Sequence, residues 1–169
     1  MTKRVVQKKV CLLGDFAVGK TSLVRRFVDG RFDDRYLSTI GVKITRKPME
    51  LDEYTLNLLI WDLAGGDDFS KAGASYLRGA VGALLVCDLT RPETLAKLQF
   101  YAGQLRDLNA DAVLVFAGNK VDLEEERRIS DEEITAVCEK LNGRYLETSA
   151  KTGLHVEVAF QHLADQIKA

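Results

Sequence analysis

Gly14-Asp15-Phe16-Ala17-Val18-Gly19-Lys20-Thr21 follows the apolar run Val10-Cys11-Leu12-Leu13 and precedes Ser22-Leu23-Val24-Arg25-Arg26-Phe27-Val28. The order reads as strand, glycine-bearing loop, helix. Gly14 and Gly19 let the backbone curl so that successive N–H groups point inward, and a helix beginning near Lys20 adds unpaired amides and the positive end of its dipole. Such a loop is an anion nest. Lys20 suits the outer phosphates as a point charge, and the Thr21 hydroxyl suits the Mg²⁺ that accompanies them. A plain glycine turn carrying Lys-Thr by chance is the bland alternative, and the flanking strand and helix weigh against it.

Outward from this loop, the bulk properties set bounds. A chain of 169 residues with 46% hydrophobic content fits one domain, residues 1–169, with a core of useful size. Lys and Arg number 24 against 25 Asp and Glu, so no overall field favours nucleic acid or an anionic membrane. Cys11, Cys87 and Cys138 are odd in number and have no metal-ligand spacing, and two of them sit inside apolar runs as buried thiols do, which fits a reducing, cytoplasmic setting. No apolar run approaches the length of a membrane span, and Thr2 gives no support to myristoylation.

Beyond the first helix, Asp29 to Gly41 is polar and aperiodic, a loop of the length that usually has a task. Val42 to Glu50 and Tyr54 to Trp61 read as a strand pair joined by Leu51-Asp52-Glu53, with Pro48 placing the first strand at a sheet edge. Asp62 to Asp68 forms another glycine-bearing loop, and Phe69 to Arg78 a weak helix. Val81 to Leu89 and Val113 to Gly118 are continuous apolar runs, as in strands buried on both faces. Thr90-Arg91-Pro92-Glu93 reads as an N-cap, a first-turn proline and a capping glutamate for a helix to about Leu108; Ser130 and Glu133 make a capping box ahead of a helix through Leu141. Arg144 to Leu146 is a short strand and Gly153 to Lys168 a final amphipathic helix. This rhythm predicts an α/β fold of the P-loop NTPase kind: a mainly parallel six-stranded sheet with one antiparallel edge strand and helices on both faces.

In such a sheet every loop that follows a parallel strand lies on one rim, and the informative residues fall in those loops. Asp62 can hold Mg²⁺ through a water, and Gly65 can offer its N–H to a terminal phosphate. In Asn119-Lys120-Val121-Asp122, the Asp122 carboxylate can accept two hydrogen bonds from a purine that presents an N–H beside an exocyclic amine, which guanine does and adenine does not. Lys120 would lay its apolar stem on one face of the base, and Asn119 would tie the loops together. Thr148-Ser149-Ala150-Lys151 can close the far side of the base with backbone amides, a weak signal by itself.

With these stretches in order, the chain resembles a small GTPase of the Ras superfamily, and most of all its Rab branch. The resemblance covers essentially the whole chain and includes Tyr36-Leu37-Ser38-Thr39-Ile40-Gly41 and Trp61-Asp62-Leu63-Ala64-Gly65. It implies GTP or GDP with Mg²⁺, nucleotide contacts over Gly14 to Ser22, and metal ligation by Thr21, Thr39 and Asp62. It also implies that Phe32 packs on the guanine, Tyr36 closes over the phosphates, and Thr39 binds metal in the triphosphate state only. Segments 31–41 and 63–76 become the two switches, ordered by γ-phosphate contacts to Thr39 and Gly65, a mechanism for which this family is the standard illustration. Effector, exchange and activating proteins would engage residues 31–45 and 61–78, with Ile44, Trp61 and Tyr76 as an apolar patch in which Ile44 replaces the usual aromatic. Membrane attachment is expected only through a lipidated tail beyond Ala169.

Two positions depart from the pattern. Gly66 stands where the family usually has the glutamine that orients the attacking water, and Phe16 stands where relatives carry a small residue. With Lys20, Thr39, Gly65 and Gly66 as the hydrolytic set, slow hydrolysis is expected, with the Phe16 ring filling the space left by the glutamine and barring a partner's arginine. Two alternatives remain at this level: a binding module of the same fold locked in one state, and a small P-loop kinase, which leaves Asn119 to Asp122 unexplained.

Overall fold

The computed structural model describes residues 3–32, 42–63, 65, 73 and 75–167. Strands β1 (Arg4–Gly14), β2 (Val42–Glu50), β3 (Tyr54–Leu63), β4 (Ala80–Asp88), β5 (Val113–Asn119) and β6 (Arg144–Glu147) form one sheet in the order β2-β3-β1-β4-β5-β6. β1 runs parallel to both β3 and β4, β4 to β5 and β5 to β6; only β2 is antiparallel, and Pro48 lies on this edge strand, where a missing ladder donor is tolerated.

The period-2 burial of β3 explains the layering. Leu56, Leu58 and Ile60 face one cluster, which Leu23 and Val24 of α1 (Lys20–Asp29) and Ala159, Phe160 and Leu163 of α4 (Val156–Gln166) complete. Phe27 and Phe160 stack at 4.1 Å where these two helices meet. On the opposite face, Cys11, Leu13, Leu85 and Cys87 meet Leu95, Leu98, Tyr101 and Leu105 of α2 (Pro92–Leu108) and Ile134 and Cys138 of α3 (Asp131–Lys140). All three cysteines are free and buried, and burial pushes each thiol up to about 12.

Helix ends follow local chemistry with two corrections. Ser130 and Glu133 form the expected reciprocal capping box of α3. For α2 the N-cap is Arg91 and not Thr90, because the Asp88 carboxylate holds the Thr90 backbone N–H and hydroxyl in the preceding turn. The last helix begins at Val156 instead of Gly153, since Gly153 (φ 87°) and His155 (φ 55°) take left-handed backbone. β3 extends through Leu63, which puts Asp62 inside the strand end and not in the loop after it. Of the expected Phe69-to-Arg78 helix, residues 69–72 and 74 lie outside the described residues, Gly73, Ser75 and Tyr76 are helical, and Leu77 and Arg78 form a turn.

Candidate functional site

The carboxyl ends of β1, β3, β4, β5 and β6 share one rim, and register fixes which residues meet there: Leu12 lies beside Asp62, Gly14 beside Val86, and Asp88 beside Asn119. The first glycine is imposed by close approach, because a Cβ at Gly14 would stand 2.4 Å from the Val86 carbonyl oxygen. At Gly19 (φ 101°) a Cβ would stand 2.3 Å from the Asn119 amide nitrogen. Between them Ala17, which is not glycine, also adopts left-handed backbone (φ 61°). Nothing in the sequence marked Ala17 for this role.

Lys20 is the first residue of α1 and is buried, with Nζ donating to the Gly14 and Asp15 carbonyl oxygens at 3.0 Å each. Burial brings its pKa down to about 8, opposed by the nearby Asp62 and Asp15 carboxylates. Thr21 follows, its hydroxyl donating to Asp62 Oδ2 at 2.5 Å. Ser22 continues the first turn, half-buried. Gly65 is buried against the loop, its missing Cβ within 2.6 to 2.8 Å of Gly14 O, Asp15 C and Phe16 N. Thus Lys20, Thr21, Asp62 and Gly65 do converge on the glycine loop.

The base-side loops join the same constellation through side chains. Asn119 donates to Val18 O at 3.0 Å and accepts from the Thr148 hydroxyl at 3.1 Å. Lys120 donates to Ala17 O at 3.1 Å. Asp122 accepts from the Ser149 hydroxyl at 2.7 Å through one oxygen, and Ser149 also accepts from the Thr152 N–H. Ala150 is buried and Lys151 exposed, with the Lys151 and Thr152 carbonyls held by Arg26 from α1. Segments 101 to 103 residues apart in sequence are therefore bolted together, Asn119 and Lys120 onto the glycine loop. The Ras family model matches residues 9–169. The chain belongs to the Ras family. It is 40% identical to the Ras-related protein RABA1f of Arabidopsis thaliana, over 94% of this chain and 74% of that protein. It is 38% identical to Rab2BV of Beta vulgaris and 38% identical to Rab11C of Lotus japonicus, over 94% of this chain and 75% and 74% of theirs respectively.

Other expectations fare differently in this Ras-family protein. Phe32 is half-buried against the core cluster beneath α1. Phe16 is 52% exposed, and the space beside Gly66 that its ring is expected to fill lies outside the described residues. Tyr36, Thr39 and Gly66, with most of both switch segments, lie outside the described residues. Ile44 pairs with Trp61 across the β2–β3 ladder, and the Trp61 ring lies 6.3 Å from that of Tyr76. Ile44 is exposed, whereas Trp61 and Tyr76 are half-buried and pack on the second core cluster. Lys9 also sits 3.6 Å above the Trp61 ring while donating to the Arg78 carbonyl, a cation beneath the patch that sequence patterning did not single out.

Two further residues carry no site signal in the sequence, Asp88 within the Val81-to-Leu89 strand run and Arg91 within the helix start Thr90-Arg91-Pro92-Glu93. Asp88 is a buried carboxylate 2.9 Å from Lys120 Nζ, and Arg91 donates to the Phe16 carbonyl at 2.9 Å. Their partners lie tens of residues away in sequence, beyond the reach of any local pattern.

Proposed function

We propose that this GTP-binding switch of the Ras family holds GTP and GDP with Mg²⁺, hydrolyses GTP slowly and engages partner proteins through segments 31–45 and 61–78. The observation that carries this reading is the side-chain connection of Asn119, Lys120 and Thr148 to the loop that bears Lys20 and Thr21. It makes one pocket of a phosphate cradle and a base-reading loop. Asp122 has a second carboxylate oxygen with which to accept from guanine beyond the one that Ser149 occupies. Lys20, Gly14 to Ser22 and Ser149 to Lys151 surround the nucleotide, Phe32 and Tyr36 cover it, and Thr39 and Gly65 sense the γ-phosphate.

The Thr21 hydroxyl and Asp62 carboxylate are hard oxygen donors 2.5 Å apart, a set that fits Mg²⁺, which binds through few protein ligands plus phosphates. Thr21 would ligate it directly, Asp62 through water, and Thr39 in the triphosphate state. Bound there, the ion neutralises charge on the outer phosphate oxygens. Residues 1–169 act as one domain, and three buried free cysteines suit the reducing cytoplasm.

Slow hydrolysis rests on Gly66, which has no side chain to orient water, and on Phe16 at the cradle's edge. The intrinsic rate then falls below the scale of about 10⁻⁴ s⁻¹ set by Ras itself, and an arginine finger gives no acceleration. Single-turnover hydrolysis by the native protein, Gly66→Gln, Phe16→Gly and the double mutant tests this. Expected is a slow native rate and a double mutant faster than the product of the single effects. A native rate equal to that of a glutamine-bearing relative overturns the slow-hydrolysis reading.

A further inference from the structure

Asp88 ends β4 with its carboxylate 1% exposed, yet the phosphate- and base-binding roles above do not use it. One oxygen is occupied by the Thr90 N–H at 2.9 Å and the Thr90 hydroxyl at 2.7 Å. The other faces two cations: Lys120 Nζ at 2.9 Å and Arg91 Nη1 at 4.0 Å. Each cation makes one further contact of the same kind. Lys120 donates to the carbonyl of Ala17, and Arg91 donates to the carbonyl of Phe16.

These two carbonyls belong to the peptide units on either side of the Ala17 Cα, so together they set its φ and ψ. Ala17 is the non-glycine residue of the loop in left-handed backbone, at φ 61°. A residue with a Cβ stays there only when its surroundings over-determine it. The N–H groups of Ala17 and Val18 belong to the same two peptide units, so relaxation of Ala17 would turn them away from a bound phosphate. The cations also need the carboxylate. Without it, an ammonium and a guanidinium would crowd the outside of one loop with no buried counter-charge between them.

We infer that Asp88 is a positioning residue for nucleotide retention: through Lys120 and Arg91 it clamps the phosphate loop from outside and holds Ala17 in the conformation that presents the loop amides. This rests on the guanine-nucleotide reading above and deepens it. The clamp also explains how one side chain couples both halves of the pocket, since Lys120 belongs to the base-reading loop. Arg91 reaches the carbonyl of Phe16 at the edge of the same loop.

The test is release of a fluorescent N-methylanthraniloyl-GDP from the full chain with Mg²⁺, chased by excess GDP. Asp88→Ala is expected to speed release about tenfold to a hundredfold, because it removes the carboxylate that faces Lys120 as a close buried ion pair, and Arg91→Ala to do so by a smaller factor. Arg91→Lys should recover part of the native rate, because it keeps the cation. Asp88→Ala/Arg91→Ala should release no faster than Asp88→Ala alone, as expected for two parts of one device. If Asp88→Ala does not fold, the Arg91→Ala and Arg91→Lys pair still decides: native release rates in both overturn the clamp. It is equally overturned if Thr90→Ala reproduces the full Asp88→Ala effect while Arg91→Ala releases at the native rate, for then Asp88 only holds the turn. Failure of the native chain to retain the GDP analogue would instead defeat the nucleotide reading itself.

Discussion

Ala17 shows how a single position carries both strain and function. A Cβ in left-handed backbone costs roughly 1–2 kcal/mol, and here the loop bears that cost between two anchored carbonyls. Ala17→Gly removes the strain but gives the unfolded chain more freedom, worth about 0.4–1 kcal/mol in the opposite direction. The expected result in urea denaturation is a stability within about 1 kcal/mol of native, on the stabilising side, where the same substitution inside a helix would destabilise. A loss beyond about 1 kcal/mol would show that Ala17 is unstrained. The phosphate loop itself was readable because Gly14, Gly19, Lys20 and Thr21 each answer a local chemical need. Ala17 was not, since its conformation is set by Asp88, Arg91 and Lys120, which sequence separates from it by 71 to 103 positions.

At the level of elements, the alternation from β4 onward was legible because buried parallel strands are continuous apolar runs, α2 has a first-turn proline and α3 carries a capping box. Two boundaries moved for different reasons: Asp88 captures Thr90 and leaves Arg91 as the N-cap of α2, while left-handed backbone at Gly153 and His155 delays α4. The β2–β3 pair has consequences for partner binding. Ile44 and Trp61 are ladder neighbours and Trp61 approaches Tyr76, so the three residues are contiguous. Trp61 is nevertheless half-buried over Lys9, which makes Ile44 the most exposed of the three and the patch smaller than an aromatic would give. Amide hydrogen exchange in the GDP state and with a GTP analogue should change at Ile44, Trp61 and Tyr76. Unchanged protection at all three would leave the patch as sheet covering alone.

Across the whole molecule, five strand ends deliver their loops to one rim, and side chains from β5 and the segment after β6 close the base-reading loop onto the phosphate loop. The sequence made this arrangement readable because the motifs fall after strands in a parallel sheet. Thr39 and Gly66, expected to respond to the γ-phosphate, lie outside the described residues. The most specific demand of the proposed pocket is for guanine: the half-buried Asp122 carboxylate is expected to reject a purine without the matching donors by roughly 10⁴–10⁵. The direct measurement is equilibrium competition of GTP, ATP and XTP against a fluorescent GDP analogue, on the native protein and on Asp122→Asn. The native protein should bind GTP at least about 10⁴-fold more tightly than ATP, and Asp122→Asn should move preference from GTP toward XTP, whose 2-oxo group needs a donor. Equal affinity of the native protein for ATP and GTP would contradict it.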